Sequence, residues 1–90
     1  MTKAIITVLG KDRVGITAGV CAYLAENNIN ILDISQTITD GWFNMIMITD
    51  VGGCEKHFSL VSEELKRLGM TLGVSIHSQL EDIFTRMHRI

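Results

Sequence analysis

Two extended segments meet at a tight turn in residues 28–50, NINILDISQTITDGWFNMIMITD. The first segment, 28–39, mixes polar residues with its isoleucines, which is typical of a strand at the edge of a sheet. Asp40 and Gly41 favour a type I′ turn, because both residues tolerate positive φ. The second segment, 42–50, has apolar residues at both alternating sets of positions, which indicates an interior strand. These residues predict an antiparallel hairpin.

The segments on either side of the hairpin predict the rest of the fold. An apolar strand over 3–9 leads to a helix over 14–27, whose apolar residues recur at spacings of three and four. After the hairpin, a helix over 55–68 is followed by a strand over 71–79 with one apolar face, and Gly69 is placed to end that helix as a left-handed cap. The order βαββαβ predicts an α+β, ferredoxin-like sandwich with a four-stranded antiparallel sheet, the first and third strands in the middle.

The C-terminal residues predict a further helix over about 79–90. Ser78 to Glu81 fits a capping box, and apolar residues then fall at helical spacing: Leu80, Ile83, Phe84, Met87 and Ile90. The two helices of the sandwich leave one apolar face of the sheet uncovered, so we expect the terminal helix or a second chain to cover it. We therefore expect a single domain over 1–90 that forms a homodimer or a higher homo-oligomer.

The composition limits the possible partners. The chain has 90 residues, with eight Lys and Arg against ten Asp and Glu, and its net charge of −2 argues against nucleic-acid binding. The sequence contains no run of about 18 apolar residues, which argues against a membrane-spanning helix. It also shows no signal-peptide pattern. Two cysteines are too few for a disulfide framework, so we expect them to be reduced and the protein to be cytoplasmic.

The residues that could carry chemistry do not form a catalytic pattern. The sequence has no nucleophile elbow, no HExxH and no phosphate-binding glycine loop, so we expect no enzyme activity. Cys54 and His57 stand three apart, which is half of a zinc-site spacing, but no second pair matches it. We expect Cys21 to be a buried structural thiol, His77 and His88 to be surface residues, and the protein to need neither a metal nor a cofactor.

The loop over 10–15, between the first strand and the first helix, is the most informative segment. Amides at a helix start have no partner within the helix and carry partial positive charge, so they suit a carboxylate. Lys11 and Arg13 add positive charge, and Asp12 could cap the helix or hold an ammonium group. The residues alone leave both interpretations open, a ligand site and an ordinary polar turn.

Three segments together resemble an ACT domain: GKDRVGITA at 10–18, LAE at 24–26 and NILDISQ at 30–36. The pattern is similar to the ACT segments of formyltetrahydrofolate deformylases and glycine-cleavage regulators, and to small stand-alone ACT proteins. The resemblance implies a ferredoxin-like fold, association of domains, and a small-ligand site at a domain interface, with an amino acid as the expected ligand. It places that ligand between the first loop of one domain and the start of the second strand of its neighbour. The predicted site residues are Lys11, Asp12, Arg13, Val14, Gly15, Ile16, Asn30 and Ile31.

The leading hypothesis is a non-catalytic regulatory module that senses a small molecule and acts through oligomerisation or a partner enzyme or regulator. Serine is not favoured as the ligand, because serine-binding dehydrogenase members carry a histidine near the position of Gly10. One alternative is a small acylphosphatase-like enzyme, for which Arg13 is available but the required Gly-Val-Phe-Arg loop is absent. An RNA binder with this strand order would need a basic surface and aromatic residues on both central strands. A purely structural protein-interaction module is the remaining alternative.

Overall fold

The computed structural model of the chain describes residues 1–81. Its strands are β1 (Lys3–Lys11), β2 (Asn30–Thr39), β3 (Trp42–Asp50) and β4 (Val74–Leu80), and its helices are α1 (Ile16–Glu26) and α2 (Phe58–Leu72). The strands form one antiparallel sheet in the order β2-β3-β1-β4. The predicted βαββαβ order is confirmed, and so is the ferredoxin-like sandwich with β1 and β3 in the middle. Within residues 1–81, no helix is long and apolar enough to cross a membrane.

The hydrophobic core lies between the two helices and one face of the sheet. Alternate residues of β1 and β3 point into it, and the apolar stripes of α1 and α2 close it, as the spacing predicts. The main members are Ile6, Val8, Phe43, Met45 and Met47 from the central strands, Ile16, Val20 and Leu24 from α1, Val61 and Leu65 from α2, and Val74 and Ile76 from β4.

The β2–β3 hairpin has the predicted turn and one irregularity. Asp40 has φ of 55° and Gly41 has φ of 82°, which confirms the type I′ geometry. The pairing of β2 with β3 shifts between Ile31 and Asp33, so β2 carries a β-bulge near its start. Asn28 has φ of 58°, and β2 begins two residues later than predicted because this left-handed residue still belongs to the turn after α1.

The predicted end of α2 is wrong by one turn. The helix continues past the predicted range of 55–68, and Gly73, with φ of 77°, is its left-handed cap. Gly69 lies buried within the helix instead, where an ideal Cβ would stand 2.7 Å from the carbonyl oxygen of Val74. Gly69 therefore serves the close approach of α2 to β4, and not the helix end.

Strand β4 also differs from its prediction at both ends. It runs over Val74–Leu80 instead of 71–79, because α2 takes the residues before Gly73 and the pairing with β1 extends to Leu80 opposite Ala4. The segment predicted as a capping box is thus largely strand, and a helix cannot begin at residue 79 as predicted. The remainder of the predicted terminal helix, 82–90, lies outside the described residues.

Candidate functional site

The loop between β1 and α1 is exposed but held at both ends. Lys11 is the last residue of β1, and Val14 is fully exposed at the loop apex. The Asp12 amide donates a hydrogen bond of 2.9 Å to the carbonyl oxygen of Gly41, which ties the loop to the β2–β3 turn. At the other end, the Ile16 side chain is 1% exposed and anchors the start of α1 in the core. The loop therefore presents a defined backbone to solvent.

The start of α1 has no side-chain cap. Gly15 is the N-cap residue, with φ of 98°, and no side chain within residues 1–81 accepts a hydrogen bond from the first-turn amides. The prediction that Asp12 could cap the helix is wrong, and α1 begins two residues later than predicted because Gly15 is left-handed. The first turn also lacks an acidic residue. The amides that follow Gly15 are thus free to meet an anion from outside.

Access to these amides is open at Gly15 and closed at Gly10. Among the described residues, an ideal Cβ on Gly15 would meet no atom within 4 Å, so the backbone can be approached closely there. An ideal Cβ on Gly10 would stand 2.6 Å from Cγ1 of Val74, which leaves no room for a side chain. Position 10 can therefore offer only its backbone to a ligand.

Arg13 reaches toward the end of α2. An ideal Cβ on Gly73 would stand 3.1 Å from Nη1 of Arg13, so the guanidinium lies against the cap of that helix. The last turn of α2 contains no basic residue of its own. Because the carbonyl end of a helix carries partial negative charge, Arg13 supplies the favourable positive charge from the neighbouring loop.

The structure separates the two halves of the predicted site within one chain. Asn30 pairs with Asp50 and Ile31 with Thr49, at the end of the sheet opposite the loop. Lys11 pairs with Trp42 at the other end of β3, about 27 Å away at the rise of an antiparallel strand. Lys11 to Ile16 therefore lie together, whereas Asn30 and Ile31 lie apart from them.

The exposed edge strand β2 connects these two ends. Every residue of β2 is exposed except Ile31, which is half-buried. Ile34 and Ile38 pair with the core residues Met47 and Phe43, and so lie on the helix-facing side of the sheet, yet they are 42% and 60% exposed. The sequence predicts an edge strand here, but it does not show that these two isoleucines lie beyond the cover of α1.

The other residues considered for chemistry do not assemble into a site. Cys21 and Cys54 are free, half-buried thiols. Across residues 1–81, no group of three or more His, Cys, Asp and Glu side chains could hold a metal ion, so the spacing of Cys54 and His57 is not extended by a third group. His77 is exposed on β4, and His88 lies outside the described part of the chain.

A polar cluster between the helices has no signal in the sequence. The Tyr23 hydroxyl donates to Oε1 of Glu64 at 2.7 Å, and Lys56 Nζ contacts the same oxygen at 2.7 Å. Burial, followed by the contact with Glu64, raises the pKa of Tyr23 above its ordinary value. Hydrogen bonds from Lys56 and Tyr23 lower the pKa of Glu64. These groups join α1 to α2, and a helical pattern alone does not reveal such a pairing between elements.

Comparison with known families agrees with the fold. The sequence pattern of the ACT domain matches residues 2–79. A UPF0237 protein of Bifidobacterium longum is 57% identical over 90 residues, which is the full length of both chains.

Two solved structures are also similar. An ACT domain protein from Streptococcus pneumoniae superposes with a TM-score of 0.82 at 43% identity, over 92% of this chain and 93% of that one. A formyltetrahydrofolate deformylase from Pseudomonas syringae superposes with the same TM-score at 22% identity, over 89% of this chain and 28% of the deformylase. The second likeness concerns the fold alone.

Proposed function

The chain belongs to the ACT domain family, and on that premise we propose that it is a non-catalytic sensor that binds an amino acid between two copies of itself. ACT domains are regulatory ligand-binding modules. Binding of the amino acid would then change the association of the copies, and through that association it would regulate a partner enzyme or regulator. The two free cysteines suit the reducing cytoplasm, in which we place the protein.

The observation that supports this proposal is the placement of the two half-sites at opposite ends of the edge strand. If two β2 edges pair antiparallel about a two-fold axis, Asn30 of one chain comes beside Thr39 of the other. Thr39 is followed directly by the turn whose Gly41 holds the loop through Asp12. One symmetric contact therefore completes two equal sites, each with a loop from one chain and a strand start from its neighbour.

The same contact would cover the exposed apolar residues of β2. Ile34 and Ile38 would lie against the neighbouring chain on the helix-facing side of the extended sheet. Full burial of a large aliphatic side chain contributes about 1.5–3 kcal/mol relative to exposure. The unpaired backbone groups of the edge would also gain partners, which removes an edge that is otherwise prone to non-specific pairing.

In each site, the ligand carboxylate would accept hydrogen bonds from the uncapped amides after Gly15. Those amides are fixed by the helix, so they lose no side-chain entropy on binding, and the helix dipole favours a negative group there. Asp12 is exposed beside them and is the nearest acidic side chain for the ligand ammonium group. Asn30 of the neighbour would contact the polar backbone of the ligand, and Ile31 would line the site.

Isothermal titration of the natural chain with a panel of standard amino acids tests the proposal, together with sedimentation equilibrium for the mass. Asn30→Ala removes hydrogen bonds worth about 1–3 kcal/mol when their partners are left unpaired, so affinity should fall roughly 5- to 150-fold. Asn44→Ala is the matched control, because Asn44 is an exposed asparagine on β3, where it pairs with Thr37 and Leu9 and has no part in the proposed site. Gly15 is a poor test position, since its φ of 98° would strain a valine whatever the ligand does.

Two results would contradict the proposal. A chain that shows no binding heat with any amino acid would refute the proposed ligand. If such a chain still forms oligomers, it is a protein-interaction module instead. An Asn30→Ala variant that binds the identified amino acid as tightly as the Asn44→Ala control would refute the site.

A further inference from the structure

A hollow of about 510 Å³ lies at the end of the sheet where β4 begins. The residues around it include Leu9, Gly10 and Lys11 of β1, Trp42 of β3, and Met70 and Gly73 at the end of α2. β1 continues to Lys11, one residue beyond its pairing with β4, which begins opposite Gly10. Because neither glycine has a side chain, the space between the end of β1 and the end of α2 stays unfilled.

Large apolar side chains line the hollow and are exposed to solvent. Leu9 is 53% exposed, Trp42 50% and Met70 80%. An indole offers a flat surface on which an aromatic ring can stack, and a thioether adapts its shape to its neighbours and makes favourable contacts with aromatic rings. Small-molecule sites are typically hollows of several hundred Å³ with mainly apolar walls and a few polar groups. The hollow therefore suits a flat apolar group.

Two cations stand at this hollow without a partner. Lys11 lines it, and Nη1 of Arg13 lies 3.1 Å from the position that a Cβ on Gly73 would occupy. Within residues 1–81, neither side chain forms a hydrogen bond or an ion pair. Asp12 lies between the two cations in the sequence, but no acidic side chain of the described chain lines the hollow. The charges therefore favour an anion and disfavour a positive group.

We propose that this hollow binds an aromatic carboxylate that carries no ammonium group. The ring packs against Trp42 and Met70, and the carboxylate lies near Lys11 and Arg13. Stacking on the indole contributes beyond the area that it buries, and the two cations distinguish an anion from a neutral ligand of the same shape. The amides after Gly15 do not line the hollow, so this site goes beyond the proposed amino-acid site and does not depend on it.

Three probes that share one ring test the proposed site: 3-(4-nitrophenyl)propanoate, the matching neutral propanamide and the matching propylamine. A nitroaromatic ring quenches indole fluorescence on contact, and Trp42 is the one tryptophan of the chain. The propanoate should quench the emission of Trp42 to saturation. The amide should bind about 2- to 5-fold more weakly, because it lacks the charge. The amine should bind most weakly, because Lys11 and Arg13 repel its ammonium group.

Lys11→Met tests the role of the charge, and Lys3→Met is its matched control. Lys3 is the exposed lysine at the other end of β1, on the same face of the strand. Lys11→Met should bind the propanoate about 2- to 5-fold more weakly than the natural chain, and it should bind the amide equally well. Lys3→Met should match the natural chain. Met70→Ala should weaken the binding of all three probes, because it removes an apolar wall and no charge.

The outcomes separate clearly. The order propanoate, amide, amine in the natural chain, with a smaller difference in Lys11→Met and the same difference in Lys3→Met, would support the site. Equal affinities of the three probes, quenching that does not saturate, or equal binding of the propanoate by both lysine variants would overturn it. Failure of the amino-acid site would leave these results unaffected, because none of the probes is an amino acid.

Discussion

Gly69 and Gly73 should respond in opposite ways to the same substitutions. The sequence suggests that Gly69 ends α2, whereas the structure places it inside the helix and makes Gly73 the cap. The two roles demand different properties of the residue. A left-handed cap tolerates asparagine better than alanine, whereas a crowded helix position tolerates alanine better than any larger side chain.

The magnitudes follow from the contacts at each position. At Gly69, an ideal Cβ stands 2.7 Å from the Val74 carbonyl oxygen and 3.0 Å from Cγ1 of Ile76. The resulting shift of backbone costs about 1–3 kcal/mol, against about 1 kcal/mol gained from the helix propensity of alanine. Gly69→Ala should therefore destabilise slightly, and Gly69→Asn more. At Gly73, φ of 77° costs alanine about 1–2 kcal/mol, and asparagine less.

Thermal unfolding of the four variants, all at one protomer concentration, measures this difference. A change of 1 kcal/mol shifts the Tm of a domain of this size by about 4–8 °C, so the order is resolvable. We expect Gly73→Asn to melt above Gly73→Ala, and Gly69→Asn to melt below Gly69→Ala. If asparagine is better tolerated than alanine at Gly69, that residue is left-handed and the assigned end of α2 is wrong.

Three further predictions concern the core and the polar cluster. Met45→Ala should cost about 2–5 kcal/mol of unfolding free energy, because Met45 is fully buried, whereas Met70→Ala, at a position 80% exposed, should leave the denaturant midpoint nearly unchanged. Folding raises the pKa of Tyr23, so the free energy of unfolding should fall as the pH rises above about 10, where the phenol of the unfolded chain ionises first. The chain has one tyrosine, so phenolate absorbance measures the ionisation of Tyr23 directly. Tyr23→Phe should abolish this loss of stability. Folding lowers the pKa of Glu64, so this carboxylate stabilises the folded chain above the unfolded pKa, and the stabilisation is lost as the pH falls through the folded pKa. The difference in free energy of unfolding between the natural chain and Glu64→Gln should therefore shrink below about pH 4. A difference that stays constant with pH would show that the carboxylate charge is not involved.

The candidate site could be predicted in its parts but not in its arrangement. The loop at 10–15 stands out because charged residues and glycines interrupt an apolar strand before an apolar helix. The pattern does not reveal that Gly15, rather than Asp12, is the N-cap, because that depends on which residue takes the left-handed conformation. Nor does it reveal that Arg13 lies at the end of α2, because that contact joins segments 60 residues apart in sequence.

The elements themselves follow from local chemistry. Alternation in strands, spacings of three and four in helices, and the Asp40-Gly41 turn each depend on neighbouring residues, so the sequence alone determines the βαββαβ order and the central position of β1 and β3. The end of α2, the extension of β4 to Leu80 and the separation of Asn30 from the loop were decided by tertiary structure. The end of α2 depends on which of two nearby glycines takes the left-handed conformation. The extension of β4 and the placement of Asn30 depend on pairing between segments distant in sequence, as Leu80 pairs with Ala4 and Asn30 with Asp50, and such pairing is a property of the packed sheet that no local pattern contains.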